Sequence, residues 1–229
     1  MNYIIVLASG SGKRMGTSTP KQFIDVLGKP LICYSLQTFN ANENIDEIII
    51  VTKKKYFAKI YDLIDKYNLD KVHMLVEGGK YRQESTYNAL MALHGFANKD
   101  DIILIHDSAR PLVKNDDVNR LIECAKKHKA ATLGSKVFDT TAKVTKRNKF
   151  VDIVPRDELM SIQTPQAFTY SVIYRAHKKA IQNSIKNASD DAQLVKLINK
   201  NFYLVEGSKT NFKVTTIQDL DLLEALIRK

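Results

Sequence analysis

The residues best equipped for chemistry lie in a small-residue loop near the start of the chain, Leu7-Ala8-Ser9-Gly10-Ser11-Gly12-Lys13-Arg14-Met15-Gly16. Small side chains let backbone N–H groups approach phosphate oxygens, and a following helix N-terminus adds a positive dipole. The loop reads as a phosphate cradle, with a ligand-free glycine turn as the plain alternative. Its spacing excludes two common motifs. Gly10, Gly12 and Gly16 are one residue too widely spaced for the dinucleotide fingerprint, and Arg14 stands where a Walker A loop needs Ser or Thr. A second cation follows in Thr19-Pro20-Lys21-Gln22-Phe23. Arg14 and Lys21 together suit a triphosphate, whose oxygens gain negative charge as a phosphoanhydride breaks.

A carboxylate is expected at the same crevice. Asp107 directly follows the apolar run Asp101–His106, where it can hold Mg²⁺ against a phosphate oxygen or cap a helix. Arg110, three residues on, either orients that carboxylate, meets a phosphate or forms a structural ion pair. Of the five histidines, His106 is expected to pack against a sheet and the others to lie on the surface. Cys33 and Cys124 form no CxxC and have no nearby His pair, so both read as small core hydrophobes.

These residues need a scaffold of strands with their ends on one edge. Tyr3–Ala8, Ile45–Thr52, Val72–Glu77 and Asp101–His106 are Ile/Val/Leu-rich without polar alternation, as in strands buried on both faces. Between them lie helical repeats: Phe57, Ile60, Tyr61 and Ile64, then Val118, Leu121, Ile122 and Ala125 behind an Asn115 or Asp116 cap. The alternation predicts an α/β fold, a Rossmann-like open, mostly parallel sheet flanked by helices. Ligands in such sheets bind beyond the carboxyl ends of the strands. From Asp139 to Gln163 the alternation breaks around the turn signal Lys146-Arg147-Asn148-Lys149, which predicts an inserted β-arm. Helices are expected again at Ser171–Asn183 and Asp190–Asn199, a strand at Phe202–Glu206, and a last helix from Ile217 to Arg228. The whole chain, 1–229, reads as a single domain with 139–163 as its arm.

Taken together, L-A-x-G-x-G-x-R-M-G followed by P-K-Q resembles the nucleotidyltransferases that make CDP-linked polyols. The resemblance continues in Glu77-Gly78-Gly79-Lys80-Tyr81-Arg82-Gln83-Glu84-Ser85, His106-Asp107-Ser108-Ala109-Arg110-Pro111, Asp139-Thr140, Gln163-Thr164-Pro165-Gln166 and Asn211-Phe212-Lys213-Val214-Thr215, six motifs in the family's order. It implies transfer of CMP from CTP to a polyol phosphate, with Arg14 and Lys21 catalytic. Ala8, Ser9, Gly10, Gly12, Gly78, Gly79, Ser85 and Ser108 would bind CTP. Asp107, Arg110, Thr140, Arg156, Thr164, Ser189 and Lys213 would meet the polyol phosphate, with Asp107 also holding Mg²⁺. In the family the Thr140 and Arg156 region reaches into a neighbouring subunit, so a homodimer is implied.

Two family branches compete. Phe138-Asp139-Thr140-Thr141-Ala142 lacks a Lys two places after the Thr, and with Pro155-Arg156-Asp157 it leans toward enzymes acting on ribitol 5-phosphate. His106-Asp107-Ser108-Ala109-Arg110 and Ser189-Asp190-Asp191-Ala192 lean toward those acting on 2-C-methyl-D-erythritol 4-phosphate, the expected substrate.

Composition sets the outer limits. A chain of 229 residues buries enough surface to need no disulfide or metal staple. Its hydrophobic (44%) and charged (26%) fractions exclude wholesale disorder. Thirty-five Lys+Arg against 25 Asp+Glu give a charge of +10, which invites a nucleic-acid reading. The cations are dispersed, however, as in Lys53-Lys54-Lys55, Lys126-Lys127 and Lys178-Lys179, without the clustered, aromatic-interleaved pattern of that class. Neither nucleic acid nor a membrane is an expected partner, since no run of about 18 apolar residues occurs. The opening Met-Asn-Tyr-Ile-Ile-Val-Leu-Ala reads as a first strand rather than a signal peptide, and a cytoplasmic location is expected.

Overall fold

The computed structural model describes residues 1–10, 19–198 and 200–228. Seven strands form one open sheet: β1 (Asn2–Leu7), β4 (Glu47–Thr52), β5 (Val72–Glu77), β6 (Ile102–Asp107), β7 (Ala130–Lys136), β10 (Met160–Thr169) and β11 (Tyr203–Glu206). Their spatial order is β11-β7-β10-β6-β1-β4-β5. All pairings are parallel except the two made by β10, which runs antiparallel between β6 and β7.

Both sheet faces are apolar, which is why the strands show no polar alternation. On β1, Ile4 and Val6 point into one core with Ile48, Ile50 and Leu104, while Tyr3 and Ile5 point into the other with Ile49, Val51, Ile103 and Ile105. The first core is covered by α1 (Leu31–Asn40), α2 (Phe57–Tyr67) and α4 (Asn115–His128); the second by α3 (Arg82–Ala92), α5 (Tyr170–Gln182) and α6 (Asp191–Lys196). A small third cluster joins the hairpin of β2 (Asp25–Val26) and β3 (Lys29–Pro30) to α7 (Ile217–Ile227) through Val26, Leu31, Val214 and Leu223.

Several expected details shift. In α2 the buried residues are Ile60 and Leu63, and Tyr61 is turned to solvent because it lies on the far side of the inward stripe. Helix α4 buries Val118, Leu121, Ile122 and Ala125 as predicted, but Lys114 occupies its cap position; Asn115 and Asp116 already lie inside the first turn. Strands β7 and β10 were not singled out in the sequence, where Ala, Thr, Gly and Gln dilute the aliphatic signal. The arm is a separate two-stranded ribbon, β8 (Thr141–Val144) paired antiparallel with β9 (Phe150–Val154). Residues 160–162, expected within the arm, instead pair with β7 as the start of β10.

No helix among the described residues is long and apolar enough to cross a membrane.

Candidate functional site

The chain runs from β1 outward through β4 to β5, then returns across β1 to β6. At that reversal the carboxyl ends of β1, β4, β5 and β6 open into a cavity of about 560 Å³. Among the described residues its lining carries the cations Lys21, Lys53, Lys80, Arg82 and Lys213 against one acid, Asp107. An excess of positive charge in a walled cleft favours a polyanionic ligand.

The nucleotide-side residues are brought together. Ser9, Gly10, Gly79, Ser85 and Ser108 line the cleft. The Ala8 carbonyl accepts hydrogen bonds from Gln22 Nε2 (2.7 Å) and Thr52 Oγ1 (3.2 Å), which fix the exit of β1. Gly78 meets this exit so closely that a Cβ there would lie 1.9 Å from Ser9 Oγ, so no larger residue fits without displacing Ser9. Ser85 holds the turn from within: its hydroxyl accepts from Gly79 N (3.1 Å) and donates to Tyr81 O (3.0 Å). Arg14 and Gly12, with the helix N-terminus expected behind them, lie outside the described residues. Lys21 opens a 3₁₀ turn, Lys21–Phe23, and its ammonium donates to Val214 O at 2.8 Å, beside Lys213.

Asp107 is the last residue of β6 and lies at the centre of the charges. One carboxylate oxygen accepts from Arg82 Nε (3.1 Å) and the other from Lys213 Nζ. Burial alone would raise this carboxyl, but Arg82 and Lys213 outweigh it and hold it well below the ordinary carboxylate range. Arg82 reaches on to Asp191, whose other oxygen meets His177 Nε2 at 3.0 Å. Burial opposes the Arg82 cation, but Asp191 and Asp107 overcome it and raise its pKa. His177 is 1% exposed, not a surface histidine as expected, because a buried carboxylate on α6 gives it a partner.

Arg110 makes no side-chain ion pair among the described residues. Its guanidinium donates to the carbonyls of Asn211 (2.8 Å) and Ile162 (3.4 Å), tying the 211–215 segment to β10, and Arg82 is the arginine that orients Asp107. Thr164 sits where the β10 ladder slips between Ile162 and Gln166, next to Pro165, which has no N–H to give. Its hydroxyl accepts from Asp107 N (3.0 Å) and meets His106 Nδ1 at 3.3 Å, so it braces the carboxylate's backbone from below. His106 packs edge-on to Phe39 as a core residue, and burial pushes its pKa down to about 3.

Thr140, Arg156 and Ser189, like Arg110 and Thr164, do not line the cleft within the chain. Thr140 and Arg156 are exposed on and beside the arm, with Arg156 Nη1 3.5 Å from Phe138 O. Ser189 is exposed just before α6, its N and Oγ both bonded to Gln193 Oε1. The sequence reading missed Arg82, Asp191, His177 and Gln22 as site-building residues. Arg82, Gln22 and Asp191 stood inside quoted segments, and those positions were the available signal; His177 lay in none.

A Mg²⁺ ion carried on substrate phosphates fits this donor set. Among the described residues no three His, Cys, Asp or Glu side chains converge, so there is no all-protein cage. Magnesium nonetheless commonly takes one or two carboxylates plus substrate phosphates, and Asp107 offers one carboxylate at the cleft wall.

The family model described as 2-C-methyl-D-erythritol 4-phosphate cytidylyltransferase matches residues 2–229. Proteins of that name from Clostridium botulinum (strain Langeland) and Clostridium beijerinckii are 41% and 43% identical to the chain. The first match covers 100% of this chain and 98% of the relative, the second 98% and 97%. Among solved structures, 4-diphosphocytidyl-2C-methyl-D-erythritol synthase from Anaerococcus prevotii superposes with a TM-score of 0.86 at 28% identity, covering 100% of this chain and 96% of that one. The Thermus thermophilus 2-C-methyl-D-erythritol 4-phosphate cytidylyltransferase gives 0.80 at 31% identity, with both chains fully covered. With its cleft at the reversal point and its length matched throughout, the chain belongs to the 2-C-methyl-D-erythritol 4-phosphate cytidylyltransferase family.

Proposed function

We propose that the protein transfers CMP from CTP to 2-C-methyl-D-erythritol 4-phosphate, giving the CDP-linked polyol and pyrophosphate in isoprenoid precursor synthesis. The observation that carries this reading is the cation-rich cleft built around the single carboxylate Asp107, in a chain whose whole length matches that family.

The reaction is an in-line displacement. A phosphate oxygen of the polyol phosphate attacks the α-phosphorus of CTP, the new P–O bond forms as the α–β anhydride breaks, and pyrophosphate leaves. The nucleophile is already an anion, so no general base is required, and catalysis reduces to positioning and charge stabilisation. Lys21, with Arg14, supplies the positive charge for the developing negative charge on the phosphates. The backbone of Ala8–Gly10 and Gly78–Gly79, with Ser108, holds the nucleotide. Lys213 at the cleft wall meets the polyol phosphate as a point charge, and Asp107 fixes Lys213 by ion pairing. Asp107 would hold Mg²⁺, which when bound would lower the charge density on the phosphates.

Thr140, Arg156 and Ser189 complete the acceptor side. For Thr140 and Arg156 this takes a second copy of the chain, so the working form is a homodimer joined through the arm. Support comes from the exposed apolar side chains Phe138, Val144, Phe150, Val151 and Ile153 gathered there.

Phosphorus NMR on a mixture of the protein, CTP, Mg²⁺ and 2-C-methyl-D-erythritol 4-phosphate tests the reading. A diphosphate diester and free pyrophosphate should appear in equal amounts. Release of inorganic phosphate without a diester would refute transfer.

A further inference from the structure

Two adjacent residues at the start of α3 hold the segment that leads into α6. Arg82 bridges Asp107 on β6 to Asp191, the first residue of α6. Gln83 is 6% exposed, and its side-chain amide grips the same segment twice, donating to Ile185 O (2.7 Å) and accepting from Ala188 N (3.0 Å). From the far side, Gln166 Oε1 accepts from Asp191 N (3.1 Å) and Ala192 N (3.2 Å). Asp190 caps α6 through Gln193 N (2.8 Å). Ser189 therefore sits between clamped neighbours although its own side chain is exposed.

The bridge is costly to build. Its Asp–Arg–Asp ion pairs are largely buried, with His177 behind them, and Arg82 Nη2 is buried with no hydrogen-bond partner among the described residues. Buried ion pairs of this kind are weak evidence for stability, and fixing a geometry is a role attested for them in some proteins. The same α3 turn follows directly on Gly78-Gly79, so one rigid element touches both the nucleotide loop and the segment carrying Ser189.

We propose that Arg82 and Gln83 are positioning residues for the acceptor side of the site. Through the Asp107–Arg82–Asp191 bridge and the Gln83 clamp on residues 185–188, they set where Ser189 stands relative to Asp107 and Lys213. This rests on the reading that a polyol phosphate is the second substrate. The nucleotide loop has bonds that involve neither Arg82 nor Gln83, those of Ala8, Gln22, Thr52 and Ser85, so the KM values for the two substrates can be read apart.

The experiment is steady-state kinetics of Gln83→Met and Arg82→Lys with CTP and 2-C-methyl-D-erythritol 4-phosphate, alongside hydrogen exchange of the Ala188 amide. Gln83→Met keeps volume and removes both hydrogen bonds. It should raise KM for the polyol phosphate about tenfold, leave KM for CTP within about twofold, and speed exchange at Ala188. Arg82→Lys keeps the charge and loses the two-carboxylate fork, and should shift the same KM in the same direction. An unchanged polyol-phosphate KM in Gln83→Met with faster Ala188 exchange overturns the inference, as does an equal rise in both KM values. Turnover of neither substrate by the parent protein would overturn the activity reading, and the inference with it, whereas a normal parent with unshifted variants overturns the inference alone.

Discussion

Charge governs what single residues do at this site. Lys21 faces a cleft that gathers cations, and its removal takes away a preorganised donor to the transition state. Lys21→Ala should lower kcat by about 10²–10³-fold while the thermal midpoint stays within a few degrees. His106 makes a different kind of prediction. Burial, the dominant cause, holds its pKa near 3 despite the neighbouring Asp107 carboxylate, which favours the cation. The unfolded chain therefore binds a proton below about pH 6.5 that the folded chain refuses until near pH 3. Folding free energy should fall with decreasing pH across that window, by about 1.4 kcal/mol per pH unit from this one group. Urea unfolding at pH 4 to 7 checks it: His106→Gln should lose one proton's worth of slope, and an unchanged slope would contradict the assignment. The residues the sequence left unread at this scale share a cause. Arg82 finds Asp107 25 positions away and Asp191 109 away, and neither pairing leaves a local pattern.

At the scale of elements, β1, β4, β5 and β6 were legible because strands buried on both faces need no polar residues. The helices α2 and α4 were legible because a one-sided helix repeats every three to four residues. Strand β10 was not, because its polar residues Gln163, Thr164 and Gln166 are buried and satisfied by partners from other elements. Gly78 and Gly79 were legible as part of a motif, but the close approach of Gly78 to Ser9 required coordinates. That approach predicts that Gly78→Ala destabilises the protein by about 1–3 kcal/mol, as overpacking does, and raises KM for CTP. Ser9→Gly in the same chain removes the obstructing side chain and should restore much of both losses. Equal stability of Gly78→Ala and the parent by denaturant titration would show the contact to be soft. In α4, Leu121 is fully buried against the sheet, and Leu121→Ala should cost about 2–5 kcal/mol without changing substrate preference.

At the scale of the whole molecule, the open sheet places every strand end that carries chemistry on one edge, and a net charge of +10 surrounds a cleft meant for anions. The arm stands apart from that sheet as its own two-stranded ribbon, with Phe150 and Ile153 more than half exposed. The proposed homodimer would cover this face. Phe150→Asp combined with Ile153→Asp should shift sedimentation from dimer to monomer and lower turnover at least tenfold, about the loss expected when an acceptor-binding residue is misplaced, with unchanged far-UV circular dichroism. A fully active monomer would contradict the shared site.

The central claim is the identity of the acceptor, and pyrophosphate release measures it directly. The purified protein, CTP and Mg²⁺ are given 2-C-methyl-D-erythritol 4-phosphate in one assay and D-ribitol 5-phosphate in another, with Lys21→Ala as control. Release is expected with the first substrate, with a kcat/KM at least about 10²-fold lower for the second and loss of both in the control. Preferential turnover of ribitol 5-phosphate, or release from neither substrate by folded protein, would contradict that claim.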